Sequence, residues 1–358
     1  MFLAINELLK EKSRFALITI VIILVSYLVF FLLALAYGLA TSYTQAVDKW
    51  GAHSIALNDN ANSTIGRSIL THSDYQQLLP EADKATATAA PLGVGVATLE
   101  KDESDDVSLF GIDTKSFIAP DLSEGRQIEN ANEVIVSDEL SIIGLNLNDT
   151  FTLQGEEEKY TVVGVTTKAS FQTAPVVYMS LNDWREAASA ASGMIGMRDD
   201  TSINAVILKE ATQVEAPLQT QTIKDFINTL PGYQAQVLTF SLMIGFLIGI
   251  AAFVLAIFIY ILTLQKKGIF GVLKAEGVPN RYIANSVIIQ VGILSVGGLL
   301  IGMGLALLTG ALLEGKVPFA VNPTFFAAIS ALFLACAALG ALASVRSVTK
   351  IDPVEAIG

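Results

Sequence analysis

Four long segments of the chain carry no Asp, Glu, Lys or Arg, and each is long enough to cross a lipid bilayer. They comprise residues 15–47, 226–265, 282–313 and 317–345. A membrane-spanning helix needs roughly 20 consecutive apolar residues. The chain is also 52% hydrophobic and only 16% charged, which is typical of a membrane protein. The pattern predicts four transmembrane helices, at 15–47, 237–265, 283–313 and 323–345, with a short outer loop at 314–322.

Lys and Arg residues near the span ends predict the orientation, because positively charged loops remain in the cytoplasm. Nine of them precede the first span, lie between the second and third, or follow the fourth: Lys10, Lys12, Arg14, Lys266, Lys267, Lys274, Arg281, Arg346 and Lys350. Residues 48–225 instead contain 12 Lys and Arg against 28 Asp and Glu, a net charge of −16. We expect cytoplasmic termini, with a tail at 346–358, and an acidic extracytoplasmic domain at 48–236. The first span exceeds the roughly 7–15 residues of a signal-peptide core, so we expect it to be retained.

The predicted domain has the pattern of mixed α and β structure in two lobes. Three stretches rich in β-branched residues are separated by Asn, Asp and Gly, which favours strands: EVIVSDEL (133–140), DTFTLQG (149–155) and KYTVVGVTT (159–167). A strand at 203–209 leads towards a helix in 220–232 that ends at Pro231 and Gly232. The predicted fold class is an α-helical membrane protein with four transmembrane helices and a two-lobed α+β domain between the first and second.

Residues that could perform catalysis are scarce. The chain has two histidines, His53 and His72, and one cysteine, Cys336. There is no paired-histidine metal motif, no nucleophile elbow and no Cys–His pair for a nucleophilic site. The sequence therefore predicts neither an enzyme nor a metal centre.

The basic stretch QKKGIFGVLKAEGVPNRYI (265–283) lies between the second and third predicted spans. Residues 269–276 favour a short helix that Gly277 and Pro279 end. Ile269, Val272 and Leu273 recur at positions i, i+3 and i+4, which predicts one buried face. The composition leaves open whether that face meets lipid or protein.

Two pairs of glycines at a spacing of four lie within the spans: Gly245 with Gly249, and Gly298 with Gly302. Such pairs let helices approach closely. The motif does not choose between packing within one subunit and packing between two.

Three stretches of the chain resemble the FtsX-like and MacB-like permeases, the membrane subunits of type VII ABC transporters. KKGIFGVLKAEGVPNRYI (266–283) resembles their cytoplasmic loop, and VRSVTKIDPVEAIG (345–358) resembles their terminal signature. SDELSIIGLNLNDTFTLQGEEEKYTVVGV (137–165) is similar to the β lobe of their outer domain. The family's topology, one span, a large domain and then three spans, is that predicted here.

The resemblance implies a permease homodimer in a bacterial cell membrane and a separate ABC ATPase subunit that binds ATP. The ATPase would contact the segment 266–282, through Lys266, Lys267, Ile269, Phe270, Leu273, Lys274 and Glu276. An amphipathic helix at 1–14 would lie along membrane lipid on the cytoplasmic side, with Phe2, Ile5 and Leu9 on one face. No nucleotide site, nucleic-acid partner or cofactor of the chain itself is implied.

Within this family, the permeases of bacterial haem exporters are most similar in 2–40, in YILTLQKKGIFGVLKAEG (260–277) and in GYQAQ (232–236). This likeness implies haem as the substrate, entering a cleft of the first two spans from the membrane. Haem iron takes donors such as His, Tyr or Met, and the candidates are Tyr233, Tyr43, His53 and Met243. Two alternatives stay open: a permease for a lipid, lipopeptide or antimicrobial peptide, and a signal transmitter that moves no substrate.

Overall fold

The computed structural model describes residues 12–78, 88–101, 104–192, 201–212, 214–265, 267–313 and 317–349. Its contacts divide the chain into two units. We call Met1–Gly38 with Leu238–Gly358 the membrane unit and Leu39–Val237 the inter-helix domain. Most of the predicted N-terminal helix at 1–14 and of the tail at 346–358 lies outside the described residues.

The described helices and strands are as follows, short 3-10 turns aside. The helices are α1 (Lys12–Ser42), α2 (Gln45–Asp48), α3 (His72–Tyr75), α4 (Leu181–Ser192), α5 (Ile223–Thr229), α6 (Tyr233–Gln265), α7 (Lys267–Ala275), α8 (Asn280–Leu312) and α9 (Pro323–Thr349). The strands are β1 (Ser54–Asn58), β2 (Ala89–Glu100), β3 (Ser104–Ile112), β4 (Glu124–Gly125), β5 (Glu133–Ser137), β6 (Thr150–Leu153), β7 (Lys159–Thr166), β8 (Ser170–Phe171), β9 (Ala174–Ser180), β10 (Ala205–Leu208) and β11 (Leu218–Thr222).

Four of these helices are long and apolar enough to cross a membrane. The qualifying stretches are Phe15–Ser42 in α1, Tyr233–Val254 in α6, Asn280–Leu312 in α8 and Pro323–Leu342 in α9. A mixed α/β domain lies between the first and second, so the predicted fold class is confirmed. The helix bounds differ slightly from the predicted spans: α1 ends at Ser42, before a turn and the short α2, and α8 begins at Asn280.

Aromatic side chains and close backbone contacts hold the membrane unit together. The ring of Phe30 is 1% exposed and stacks on that of Phe326, with 5.0 Å between centroids. The backbone N–H of Ala320 donates to the carbonyl oxygen of Ala34 at 3.2 Å. The segment before α9 therefore folds back against α1.

The inter-helix domain is built on one twisted sheet with the strand order β11-β1-β10-β2-β3-β9-β5-β7-β4, and β6 pairs with β2 and β7. The pairs β3–β9 and β5–β7 are parallel, and the other pairs of this sheet are antiparallel. The sheet is continuous across the two predicted lobes. Successive side chains of a strand point to opposite faces, so Leu109 and Phe110 of β3 enter separate hydrophobic cores.

Trp184 of α4 is fully buried against the sheet face that carries Leu109. A Cβ atom on Gly93 would overlap its indole ring, and one on Gly111 would lie 2.5 Å from its Cβ. Glycine is thus required in both strands because α4 packs directly on the sheet.

Candidate functional site

Two tyrosines meet where the inter-helix domain joins the first two membrane helices. Tyr43 follows the last residue of α1, and Tyr233 is the first residue of α6. Their ring centroids are 5.8 Å apart and the rings are inclined by 55°. Both side chains are half-buried, so each ring keeps part of its surface available to a ligand.

Gly232 fixes the position of Tyr233 at the start of α6. Its φ of +80° lies in the left-handed region, which glycine adopts without the steric cost that a Cβ brings. A Cβ there would also lie 3.4 Å from the Tyr43 hydroxyl oxygen. The turn that starts α6 and the tyrosine pair therefore depend on the same glycine.

The end of α1 is fastened to the hairpin between β8 and β9. The N–H groups of Gln172 and Thr173 donate to the carbonyl oxygens of Tyr43 at 3.1 Å and Ser42 at 3.3 Å. Both donors have positive φ, 51° and 72°, which costs about 1–2 kcal/mol per residue for non-glycine residues. The bonds to α1 offset part of this cost and hold the backbone of Tyr43.

Lys49 adds a charged contact to the same hairpin region. Its ammonium group donates to the Thr166 hydroxyl at 3.2 Å and to the carbonyl oxygen of Thr167. Burial lowers the pKa of Lys49, while Asp138 and Asp121 raise it in part. Asp48, next to Lys49, accepts a 2.7 Å hydrogen bond from the Thr44 hydroxyl. The segment after α1 is therefore ordered by both backbone and side-chain contacts.

The other two predicted haem donors lie in different surroundings. His53 is exposed just before β1, where its N–H donates to Leu208 at 2.9 Å and its carbonyl accepts from Ile223 at 3.1 Å. Among the described ring contacts, none joins His53 to either tyrosine of the pair. Met243 is half-buried on α6 in the membrane unit. Of the four candidates, Tyr43 and Tyr233 are the two that a described ring contact joins.

The predicted coupling segment contains α7, and a different residue of it, Phe270, packs inside the chain. Phe270 is 1% exposed and packs in the core of the membrane unit, with Leu273 packed against it in part. Ile269 and Val272 are 50% and 47% exposed. Phe270 takes the inner position on α7, so Ile269 and Val272 lie on the side away from the membrane-unit core. That lipid or another protein covers this side stays a prediction.

Further predicted coupling residues are placed as follows. Lys274 is half-buried and Glu276 is exposed, whereas Lys267 opens α7 and Lys266 lies outside the described residues. The outward side of α7 therefore presents two apolar side chains, Ile269 and Val272, with Glu276 beyond them.

α7 ends in a Schellman motif that ties it to α8. The N–H of Val278 donates to the carbonyl of Leu273 at 3.0 Å, and that of Gly277 donates to Lys274 at 3.0 Å. Gly277 has a φ of +86°, as this motif requires. Val278 and Leu273 both pack on the membrane-unit core. The short connection thus fixes the direction of α7 relative to α8.

The glycine pairs of the membrane unit have opposite surroundings. A Cβ on Gly298 would overlap Ile22, and one on Gly302 would lie 2.6 Å from Ser26, so this pair packs on α1. A Cβ on Gly245 or Gly249 of α6 would meet nothing within 4 Å. Only 6% of the α6 span is buried, against 28–39% of the other three. The described part of the chain leaves most of α6 uncovered.

Several residues of this region gave no usable signal in the sequence. Gln172 and Thr173 form a two-residue turn without the glycine or asparagine that usually marks one. Lys49 follows the first span as an ordinary charged residue. The outward pair of α7 could have been found only by recognising that Phe270 would be buried.

The chain matches two family descriptions. The MacB-like periplasmic core domain matches residues 15–216 and the FtsX-like permease C-terminal region matches residues 241–353.

Similar proteins match over the whole chain. A protein of Staphylococcus epidermidis named as the permease HrtB of a hemin transport system is 25% identical over 362 residues, which cover 100% of this chain and 99% of that protein. Its counterpart in Staphylococcus haemolyticus is 25% identical, with the same coverage. An uncharacterised ABC transporter permease of Mycobacterium tuberculosis is 23% identical over 100% of this chain and 99% of its own length.

A solved structure is also similar in part. The extracellular domain of the noncanonic ABC-type transporter YknZ from Gram-positive bacteria covers 45% of this chain and 84% of its own, with 15% identity and a TM-score of 0.31.

Proposed function

Because the chain belongs to the family of FtsX-like and MacB-like ABC transporter permeases, we propose that it is the membrane subunit of a haem exporter that a separate ATPase drives. The full-length similarity to proteins named for hemin transport supports the substrate. The observation that carries the proposal is the contact of Tyr43 with Tyr233 at the ends of α1 and α6.

Charge supports the orientation that export requires. In the sequence, Lys and Arg lie at the start of α1, between α6 and the first turn of α8, and around the end of α9, whereas residues 48–225 carry a net charge of −16. By the positive-inside rule, α7 and both termini face the cytoplasm and the domain faces outward. The tyrosine pair then lies at the outer surface of the membrane.

Haem is a largely apolar plane with two propionate groups. The tyrosine pair can contact the apolar plane, but it offers no positive charge for the propionates. Two half-buried rings 5.8 Å apart offer aromatic faces and two hydroxyl groups, and aromatic side chains with a polar end are suited to the membrane interface. The acidic domain repels propionates, which favours entry from the membrane. Tyr233 and Tyr43 are the principal contacts in this proposal, and His53 and Met243 remain predicted donors.

The exposed side of α7 is the proposed contact for the ATPase. Ile269 and Val272 present apolar surface there, and Glu276 adds a charge. Because the Schellman motif fixes α7 on α8, and Gly298 and Gly302 pack α8 on α1, movement of α7 would be passed through tightly packed helices. Tyr43 directly follows α1 in the chain, so this route would lead from the ATPase to the proposed haem contact.

A second copy of the chain is the proposed partner of α6. Phe246 and Phe253 are 70% and 71% exposed, and Gly245 and Gly249 leave open space between such side chains. Small residues allow helices in a membrane to pack closely. A homodimer with α6 at its interface would fill this space.

A visible absorption titration of the purified permease in detergent with hemin tests the haem proposal. We expect a saturable spectrum for the wild type and about tenfold weaker binding for Tyr43→Ala with Tyr233→Ala, the loss of roughly one to two ring contacts. Tyr233→Phe keeps the ring and separates stacking from hydroxyl contact. His53→Ala tests whether the exposed histidine just before β1 also contributes to binding.

The alternatives predict other results. Absence of saturable hemin binding, in a sample that still assembles with its ATPase, would reject haem as the substrate. ATPase stimulation by a lipid or lipopeptide in that sample would then favour another amphiphile. Capture of a cell-wall enzyme by the inter-helix domain would favour a signal transmitter.

A further inference from the structure

The edge of β2 is open over a short stretch between two strands that pair with it. β10 pairs with β2 at residues 89–92, and β6 pairs with it at Leu99 and Glu100. β3 covers the opposite edge continuously, from Leu92 to Glu100. Over 93–98, no strand in the described part of the chain pairs with β2 on the side of β10 and β6.

The hydrogen bonds at both ends of this gap show which groups point into it. Leu92 accepts from the N–H of Asn204 at 3.0 Å, and the N–H of Val94 donates to the Asn204 side-chain oxygen at 2.8 Å. At the other end, Thr98 accepts from the N–H of Gln154 at 2.9 Å. Backbone direction alternates along a strand, so the N–H and C=O of Val96 point into the gap. The Val96 side chain is 71% exposed.

A cavity of about 380 Å³ lies beside this open edge, and Val94, Gly95 and Val96 line it. The residues that line it also include five polar ones, Ser63, Thr64, Ser108, Gln172 and Thr229. A cavity of this size is typical of ligand sites in proteins.

The near wall is held in place by Asn204, which is 1% exposed. Its side-chain amide donates to the carbonyl oxygens of Ile65 at 3.2 Å and Ser68 at 2.8 Å, and its oxygen accepts from Val94. The same side chain thus ends the pairing of β10 with β2 and fixes the loop that forms the wall. The gap is therefore held open by specific hydrogen bonds of a buried side chain.

We propose that this gap binds a short extended peptide segment, which pairs with the backbone of Val96 as an added piece of strand. An extended backbone offers the alternating donors and acceptors that the edge lacks. The distance from Val94 to Thr98 is about 13 Å at the usual rise per residue, which admits about three residues of a loop or chain end. The net charge of −16 over residues 48–225 favours a basic segment. This proposal does not depend on the nature of the transported substrate.

A phage-displayed library of random heptapeptides, selected on the full-length permease in detergent, tests the proposal. We expect basic sequences that bind the wild type and Val96→Thr but bind Val96→Pro about tenfold more weakly, since proline removes the N–H that a paired segment needs. Val96 lies on an exposed edge, where proline is tolerated. The threonine variant is the matched control because it changes the side chain and keeps the backbone donor.

The selected peptide is then synthesised in three forms: unmodified, N-methylated at the odd-numbered residues, and N-methylated at the even-numbered residues. Strand pairing predicts that methylation on one set of alternate amides abolishes binding, and that the unmodified peptide slows hydrogen exchange of the Val96 amide. The proposal is overturned if no sequence distinguishes the wild type from Val96→Pro, or if both methylated forms bind as well as the unmodified peptide. The latter result would identify a cavity for amphiphiles.

Discussion

Helices α6 and α8 carry the same glycine spacing, yet the two pairs have opposite surroundings. In α8, Gly298 and Gly302 lie against α1 so closely that a Cβ would overlap Ile22 or Ser26. In α6, no atom of the described residues lies within 4 Å of a Cβ placed on Gly245 or Gly249. The difference shows that a small-residue motif permits close packing but does not by itself indicate that another helix packs there. The first pair serves the packing of one chain, and the second lies on a helix surface that the described residues leave uncovered.

Replacing a glycine of the packed pair in α8 by a larger residue is expected to reduce stability more than any other substitution considered below. Gly302→Leu would place a side chain 2.6 Å from Ser26 and 2.8 Å from the carbonyl oxygen of Ile23, where backbone cannot yield. We expect a loss of about 3 kcal/mol or more, seen as loss of monodisperse protein on size-exclusion chromatography. Gly304→Leu is the control, since a Cβ at Gly304 meets nothing within 4 Å. Equal behaviour of both variants would refute the contrast.

Helix α7 likewise has a buried residue, Phe270, close in sequence to residues whose side chains are exposed. Phe270→Ala removes a ring that is 1% exposed, and we expect a loss of about 3 kcal/mol, measured as a lower Tm of the purified permease. Ile269→Ala with Val272→Ala alters side chains that are about half exposed. This variant should keep the Tm and weaken co-purification of the ATPase. A lower Tm with unchanged ATPase binding would show that these two residues serve the fold.

Replacing a glycine of the uncovered pair in α6 by a larger residue is expected to weaken dimerisation of the permease without changing its stability. Gly249→Leu should leave the Tm of the permease unchanged and weaken dimerisation in detergent by about tenfold, as single-residue changes at close helix contacts do. Analytical ultracentrifugation of Gly249→Leu beside Gly297→Leu makes the comparison, because Gly297 is an open glycine of α8. If both variants dimerise like the wild type, the face of α6 meets lipid or another partner.

The sequence was sufficient for the span count and the fold class. Absence of charge over roughly 20 or more residues is decisive because a bilayer penalises each charged group, and Gly277 with Pro279 marks the end of α7 by local backbone preference alone. The two glycine pairs could not be distinguished, since a helix does not encode which neighbour covers it. The same limit applied to α7, where Ile269, Phe270, Val272 and Leu273 offer two alternative apolar edges and only tertiary packing selects one.

Contacts between residues far apart in the sequence could not be predicted from it either. Tyr43 and Tyr233 lie near opposite ends of the inter-helix domain in the sequence, and their contact depends on the fold of the whole domain. The open edge of β2 likewise results from where β10 and β6 end their pairing. Neither feature has a local pattern, because each is a property of topology.

A partly buried charged residue of the inter-helix domain, Glu139, gives the last comparison. Its substitution is expected to change stability the least. Both carboxylate oxygens of Glu139 lie 2.8 Å from the Ser170 hydroxyl, which also lies 3.1 Å from the Gln45 side-chain oxygen of α2. Burial raises the pKa of Glu139, and the bond from Ser170 opposes this in part, while Asp138 and Asp105 add to the rise. A raised pKa means that the fold favours the protonated acid, so its contribution to stability is present at low pH and is lost as the pH rises through the folded-state pKa.

Glu139→Gln should therefore stabilise the permease at pH 7, by less than about 1 kcal/mol, because the amide still bonds to Ser170 and carries no charge. The gain should shrink as the pH falls towards the usual pKa range of glutamate, where the wild type also becomes neutral. Tm measured from about pH 4.5 to pH 7 for wild type and variant checks this, with Glu157→Gln as a control at an exposed glutamate. A gain that is independent of pH would show that the substituted amide improves packing and that the buried charge has no cost. A loss at every pH would show that the carboxylate itself holds α2 against the hairpin.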